Sequence, residues 1–138
     1  MAWLLDTNVV SEARKASKCD PQVAAWLQQV AGIRQYISVI SMMELKLGIQ
    51  LAQRRNPDFA AVLDAWYETK LKPSFSGKVL PVEWEVAEIC AQLHAARPRS
   101  FRDALIGATA LVHGLAVATR NLKDFADMGL ELANPWER

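Results

Sequence analysis

Apolar positions along the chain follow two rhythms, short solid runs and longer stretches at helical spacing. The runs Ala2–Leu5, Tyr36–Val39, Lys78–Pro81, Leu115–Ala118 and Leu130–Ala133 read as short buried strands. Between them, apolar residues recur every three or four positions. Asp20-Pro21 is a cap followed by proline at the first helical position, which predicts a helix to about Val30, closed by Gly32. Ser41 predicts the start of a helix to about Arg54. Asn56-Pro57 repeats the cap-then-proline signal, and Phe59, Val62, Leu63, Trp66 and Tyr67 give that helix one apolar face. Lys72–Lys78, with Pro73 and Gly77, reads as a loop. Helices follow over Glu83–Ala96 and Phe101–His113, the second ending at the natural C-cap Gly114. Short helices after Asn8 and near Phe125 complete the series. Strands alternating with helices predict an α/β domain around a mainly parallel sheet. With no repeat and no Gly/Ser-rich linker, residues 1–138 read as one domain.

Composition narrows the picture only a little. Hydrophobic residues at 51% and charged residues at 22% suit a folded, soluble chain. The net charge of +1 neither requires nor excludes a nucleic-acid partner, so any such contact needs basic residues concentrated locally. Cys19 and Cys90 form no CxxC pair and have no His cluster beside them, which argues against zinc and against a disulfide framework. The apolar start MAWLLDTNVV is interrupted by Asp6 and lacks a basic leader, so it reads as a strand rather than a signal peptide. No run approaches the ~20 apolar residues that span a bilayer, and the expected location is the cytoplasm.

The chemistry lies in where four acids fall. Asp6 ends the first strand, and Asp124 follows the Leu115–Ala118 strand. Glu44 and Asp103 fall in the predicted first turns of two helices. In a parallel sheet, strand ends and the helix starts that follow them share one edge, where ligands bind. Carboxylates gathered there repel unless a cation compensates them. An oxygen-only set suits Mg²⁺ or Mn²⁺, which can activate water for attack on phosphorus. A plainer reading stands beside this. Ser41-x-x-Glu44 is also a capping box, and Ser100-x-x-Asp103 and Asn121-x-x-Asp124 share its spacing. Local capping explains Asp6 less well.

Four blocks in order carry a family resemblance: Leu4-Leu5-Asp6-Thr7-Asn8-Val9-Val10-Ser11-Glu12, the segment from Ile37 to Gly48 around Glu44, Arg102-Asp103-Ala104-Leu105-Ile106-Gly107-Ala108, and Val117 to Phe125, followed by Asn134-Pro135-Trp136. With these the chain resembles PIN-domain ribonucleases, in particular the VapC/FitB-type toxins of toxin–antitoxin pairs. The resemblance implies a three-layer α/β/α fold with a mainly parallel central sheet, and Mg²⁺- or Mn²⁺-dependent cleavage of RNA (tRNA, rRNA or mRNA), with Asp6, Glu44, Asp103 and Asp124 as catalytic, metal-holding acids. The fourth place is shared between Asp124 and Asn121. Thr7, Asn8, Thr119 and Asn121 are expected to support the acids by hydrogen bonds. Gly107 stands where Ala is commoner and is expected to loosen the helix packing. The implied partners are an RNA substrate, a cognate antitoxin, a second copy of the chain, and operator DNA reached through the antitoxin complex.

Basic residues flank two of the acids. Arg14 and Lys15, with Lys18, follow Asp6, while Arg97, Arg99 and Arg102 precede Asp103. They read either as solvated charge or as a rim for the RNA backbone. Trp26 and Trp66 sit on amphipathic helices and could line a groove for an antitoxin helix. His94 and His113 have no ligand spacing and are assigned no catalytic role. Two alternatives complete the reading. One is a catalytically inactive PIN-fold binding or co-repressor module. The other is a haloacid-dehalogenase-like phosphatase, whose second Asp is replaced here by Asn8.

Overall fold

In the computed structural model of the chain, which describes residues 1–137, five parallel strands form one sheet. They are β1 (Trp3–Leu5), β2 (Gln35–Ser38), β3 (Val79–Leu80), β4 (Ala116–Ala118) and β5 (Leu132–Ala133), in the spatial order β3-β2-β1-β4-β5. The register sets Trp3 opposite both Gln35 and Ala116, and Val117 opposite Leu132. Every strand is shorter than or offset from the apolar run that predicted it, because pairing begins only where both neighbours are extended.

The two-residue alternation of strands divides the core into layers. Trp3, Leu5, Ala116 and Ala118 face one side, packing with Val9 and Val10 of α1 (Thr7–Ala13), Trp26 of α2 (Pro21–Gln29) and Ile49 of α3 (Val39–Arg55). Leu4 and Val117 face the other side, against Ile106 and Ala110 of α7 (Phe101–His113) and Phe125 of α8 (Leu122–Phe125). Outside that layer, α6 (Trp84–Ala96) sets Val86 and Cys90 against Ala104 and Ala108 of α7. Trp26 meets Trp3 edge to face at 5.1 Å, which gives that tryptophan a core role.

Two boundaries and one packing position differ from the sequence reading for local reasons. Strand β2 ends at Ser38, whose Oγ accepts the Ile40 N–H at 3.0 Å, so α3 opens at Val39 rather than at Ser41. Helix α4 (Pro57–Trp66) does not stop before the expected loop. It runs through a π turn at Tyr67–Leu71 into α5 (Lys72–Ser74). Pro73 has no N–H to donate and crowds the carbonyl a turn back, and the widened i→i+5 turn just before it accommodates both defects. Gly107 does the opposite of loosening α7. It is buried, and a Cβ there would overlap the Met128 sulfur, so glycine lets the segment after α8 close onto α7.

The connections place the site. The chain moves from β1 outward to β2 and β3, then returns to β4 on the other side of β1. Helices therefore leave β1 and β4 in opposite directions, and a crevice opens between the carboxyl ends of these two strands. Asp6 and Thr119 stand at those ends, and the Asp6 N–H donates to the Ala118 carbonyl at 2.9 Å. Among the described residues, no helix is long and apolar enough to cross a membrane.

Candidate active site

Asp6 is completely buried, and three donors surround its carboxylate. Its Oδ1 accepts the Thr7 N–H at 2.8 Å and Arg102 Nη2 at 2.5 Å. Its Oδ2 accepts the Thr119 hydroxyl at 2.7 Å. The Asn121 N–H in turn donates to Thr119 Oγ1 at 3.0 Å, which fixes that hydroxyl's direction. Asp6 is also the N-cap of α1. Capping thus accounts for part of its role, contrary to the sequence expectation, but only for one of its contacts.

Glu44 reverses the expectation in the other direction. Because α3 begins at Val39, Glu44 lies beyond the first turn and caps nothing. Its Oε1 accepts the Thr7 hydroxyl at 2.5 Å, and its Oε2 accepts Arg102 Nε at 2.5 Å. The buried Ser41 hydroxyl lies 2.8 Å from Thr7 Oγ1. A carboxylate only accepts, so Thr7 donates to Glu44 and Ser41 donates to Thr7. Ser41, read from sequence as a cap, is a support of the acidic centre.

Asp103 combines both readings. Its N–H donates to the capping Ser100 Oγ at 3.1 Å, while its Oδ1 accepts Arg102 Nη1 at 2.5 Å. Three acids from three elements thus surround one guanidinium, and each meets a different nitrogen. Burial works against the charge of Arg102, but Asp6 and Glu44 outweigh it and hold that guanidinium above its ordinary range. With Arg102 between them, no three acids, His or Cys among the described residues stand in metal-holding geometry.

The remaining expected residues scatter. Asp124 is exposed on α8 and makes no hydrogen bond to the three acids among the described residues. Asn121 precedes α8 without capping it and reaches the centre only through its backbone. Asn8 Oδ1 accepts the Arg120 N–H at 3.4 Å, so it steadies the turn after β4 rather than touching the acids. Lys15 pairs with Glu12 at 2.9 Å. Arg97 and Arg99, expected on the rim, both turn onto Asp127, at 2.7 Å and 2.8 Å. Arg97 first and then Arg99 hold the Asp127 carboxyl well below the usual carboxylate range. Arg99 has only 4% of its side chain exposed and also donates to the Leu93 carbonyl. No local signal pointed to Asp127, because its partners lie 28 and 30 residues away.

Arg14 lies on the side of Glu44. It lines a groove with Thr7, Glu44, Phe59, Leu63 and Trp66, so this apolar trough between α1, α3 and α4 opens beside the acids. Arg120, which the sequence reading missed, is exposed past the end of β4, with its guanidinium 5.0 Å from the Trp136 ring. His94 packs against Phe101 at 4.2 Å, and its buried Nε2 has no partner among the described residues. A separate cavity, lined by Ala2, Arg34, Tyr36 and His113, opens at the amino-terminal edge of the sheet, away from all of these acids.

Known proteins share the fold of this chain. The PIN domain model matches residues 3–130. The chain is 36% identical to the VapC ribonuclease Y4jK of Sinorhizobium fredii, over 97% of both chains. It is 35% identical to the toxin FitB of Neisseria gonorrhoeae, over 96% of this chain and 97% of that one. The FitAcB structure from Neisseria gonorrhoeae superposes with a TM-score of 0.88 over 99% of both chains, at 35% identity. The FitAB structure bound to an IR36 DNA fragment gives 0.87 at 33% identity, over 99% of this chain and 96% of that one. Strand order, the acids at the carboxyl edge and these matches lead to one assignment: the chain belongs to the PIN-domain family, among its VapC/FitB-type toxins.

Proposed function

We propose that the chain is a metal-dependent ribonuclease toxin, cleaving phosphodiester bonds of tRNA, rRNA or mRNA with Mg²⁺ or Mn²⁺ in the cytoplasm. One observation carries the reading: Asp6, Glu44 and Asp103 converge on a single point at the switch of strand order. The donor set fits a hard divalent cation, since it is all oxygen and one guanidinium leaves three carboxylates under-compensated. Bound there, such an ion would lower the pKa of a water and polarise the scissile phosphate.

The chain's own residues do the rest. Asp6, Glu44 and Asp103 would hold the ion. Thr119 and Thr7 keep one oxygen of Asp6 and one of Glu44 occupied, which aims the other oxygens at a common point. Asp124 or Asn121 would orient an outer water from the α8 side. Arg14, Arg102 and Arg120 would bind the RNA backbone as it crosses the edge.

Similar solved structures include a toxin–antitoxin complex from Klebsiella pneumoniae, and three others are bound to DNA. A cognate antitoxin helix would lie in the trough of Phe59, Leu63 and Trp66, where it could reach the acids beside Glu44. Operator DNA would be reached through that complex. The exposed stripe Val39, Met43, Leu47 and Leu51 along α3 suits a second copy of the chain. The deciding experiment is a ribonuclease assay with Mg²⁺ on Asp6→Asn. Activity should fall by about 10³-fold, since metal assistance contributes several kcal/mol and each ~1.4 kcal/mol is tenfold in rate. Full activity would remove the site.

A further inference from the structure

We propose that Arg102 is an exchangeable counter-ion of the acidic centre: its guanidinium covers the oxygen face that a divalent cation takes, and it leaves that face for a substrate phosphate when the cation binds. The inference rests on the metal-dependent reading and deepens it.

The oxygens facing Arg102 are Asp6 Oδ1, Glu44 Oε2 and Asp103 Oδ1, one from each acid. Of the opposite oxygens, Asp6 Oδ2 is held by Thr119 and Glu44 Oε1 by Thr7. If Arg102 withdraws, these two carboxylates stay aimed at the place it leaves. The face then presents oriented oxygens to a cation rather than collapsing. A cation belongs there, because three facing carboxylates repel each other without one.

Arg102 has a way out. Its side chain is 29% exposed, and the adjoining Phe101 is 71% exposed, so leaving the acids requires no repacking of the core. Arg99, three residues earlier, has no such freedom. A guanidinium released at this rim has the planar fork that binds phosphate oxygens in pairs. Exchange therefore couples two ligands. A metal that displaces Arg102 frees it for RNA, and RNA that draws Arg102 away uncovers the metal face. By linkage each must strengthen the other by the same factor.

Calorimetric titration with Mn²⁺, without RNA, tests this on the wild type, Arg102→Gln and Arg102→Lys. Arg102→Gln should bind Mn²⁺ about tenfold tighter, the scale expected when a competing charged hydrogen-bond partner is removed. Arg102→Lys keeps the charge but loses the three-way fork, and it too should bind tighter than the wild type. Thermal melting gives a second readout: Mn²⁺ should raise the melting temperature more in Arg102→Gln than in the wild type. Equal or weaker Mn²⁺ binding by Arg102→Gln would overturn the exchange. So would Arg102→Lys matching the wild type, since only charge repulsion at a distance would then be acting. No binding by any of the three folded proteins would instead overturn the metal-dependent reading on which the exchange depends.

Discussion

Two arginine–carboxylate clusters are built from one short segment, Arg97 to Asp103, and their proportions are inverted. In the first, one guanidinium serves three carboxylates, one of them fully buried. In the second, two guanidiniums serve the single carboxylate of Asp127, which is 42% exposed. The second cluster is saturated: each Asp127 oxygen accepts from both arginines, and the loop is tied to the segment after α8. The first is short of positive charge in a place where water screens poorly. A saturated cluster is a clamp. An under-compensated, buried one persists only because the fold forces it, which is how binding sites for cations arise. Basic residues that look alike in sequence therefore have different roles.

The largest effect should separate the clusters by rate. Asp103→Asn is expected to lower RNA cleavage by about 10³-fold, on the same metal-assistance scale as Asp6→Asn. Asp127→Asn should leave cleavage within about threefold, as expected for a change away from the reacting groups. Comparable losses in both, measured under Mg²⁺ with a labelled RNA, would erase the distinction. Next in size, Arg14→Ala and Arg120→Ala should each weaken RNA binding and make the slope of log affinity against log salt shallower by about one, the mark of one lost phosphate contact. A slope unchanged in both would remove them from the rim.

A smaller effect concerns stability and acid. The Asp127 carboxyl is held below its ordinary range by Arg97 and Arg99, so its contribution is fully present above the unfolded-state pKa of about 3.9. That contribution is lost as pH falls below this value toward the folded pKa. The melting-temperature gap between the wild type and Asp127→Asn should be constant above about pH 5 and should narrow below about pH 4. A gap that widens in acid would contradict the clamp. The smallest effect is at Gly107. Gly107→Ala gains helix propensity of roughly 1 kcal/mol, but its Cβ must push aside the flexible end of Met128. The two should nearly cancel, leaving a melting temperature close to that of the wild type; a large drop would mean that Met128 cannot yield.

Much of this was legible from sequence, though unevenly. The cap-then-proline pairs at Asp20-Pro21 and Asn56-Pro57 placed two helix starts correctly, because the cap bonds lie within a few residues. Gly114 ends α7 in the left-handed conformation, as its position implied. Asp6, Glu44 and Asp103 were visible as acids at one edge. Competition between nearby signals was harder to read. Ser38 and Ser41 are both plausible caps, and the extended backbone at Ser38 decided between them, which removed the capping explanation for Glu44. The helix through Pro73 was also hidden, since only a π turn, with no sequence mark of its own, makes room for it.

The sequence by itself determined the parallel sheet and brought Asp6, Glu44 and Asp103 to its carboxyl edge, although Asp124, expected with them, stands apart on α8. Those features follow from local periodicity and from the rule that helices succeed strands at that edge. Only the tertiary structure decided which charges meet. Arg102 reaches Asp6 across 96 residues and Glu44 across 58, while Arg97 and Arg99, in the same basic run, turn to Asp127. Side-chain direction around one loop, set by the packing of α7 against its neighbours, assigns one arginine to the acidic centre and two to the clamp. Pairing of that kind depends on distances through space, which spacing along the chain does not carry.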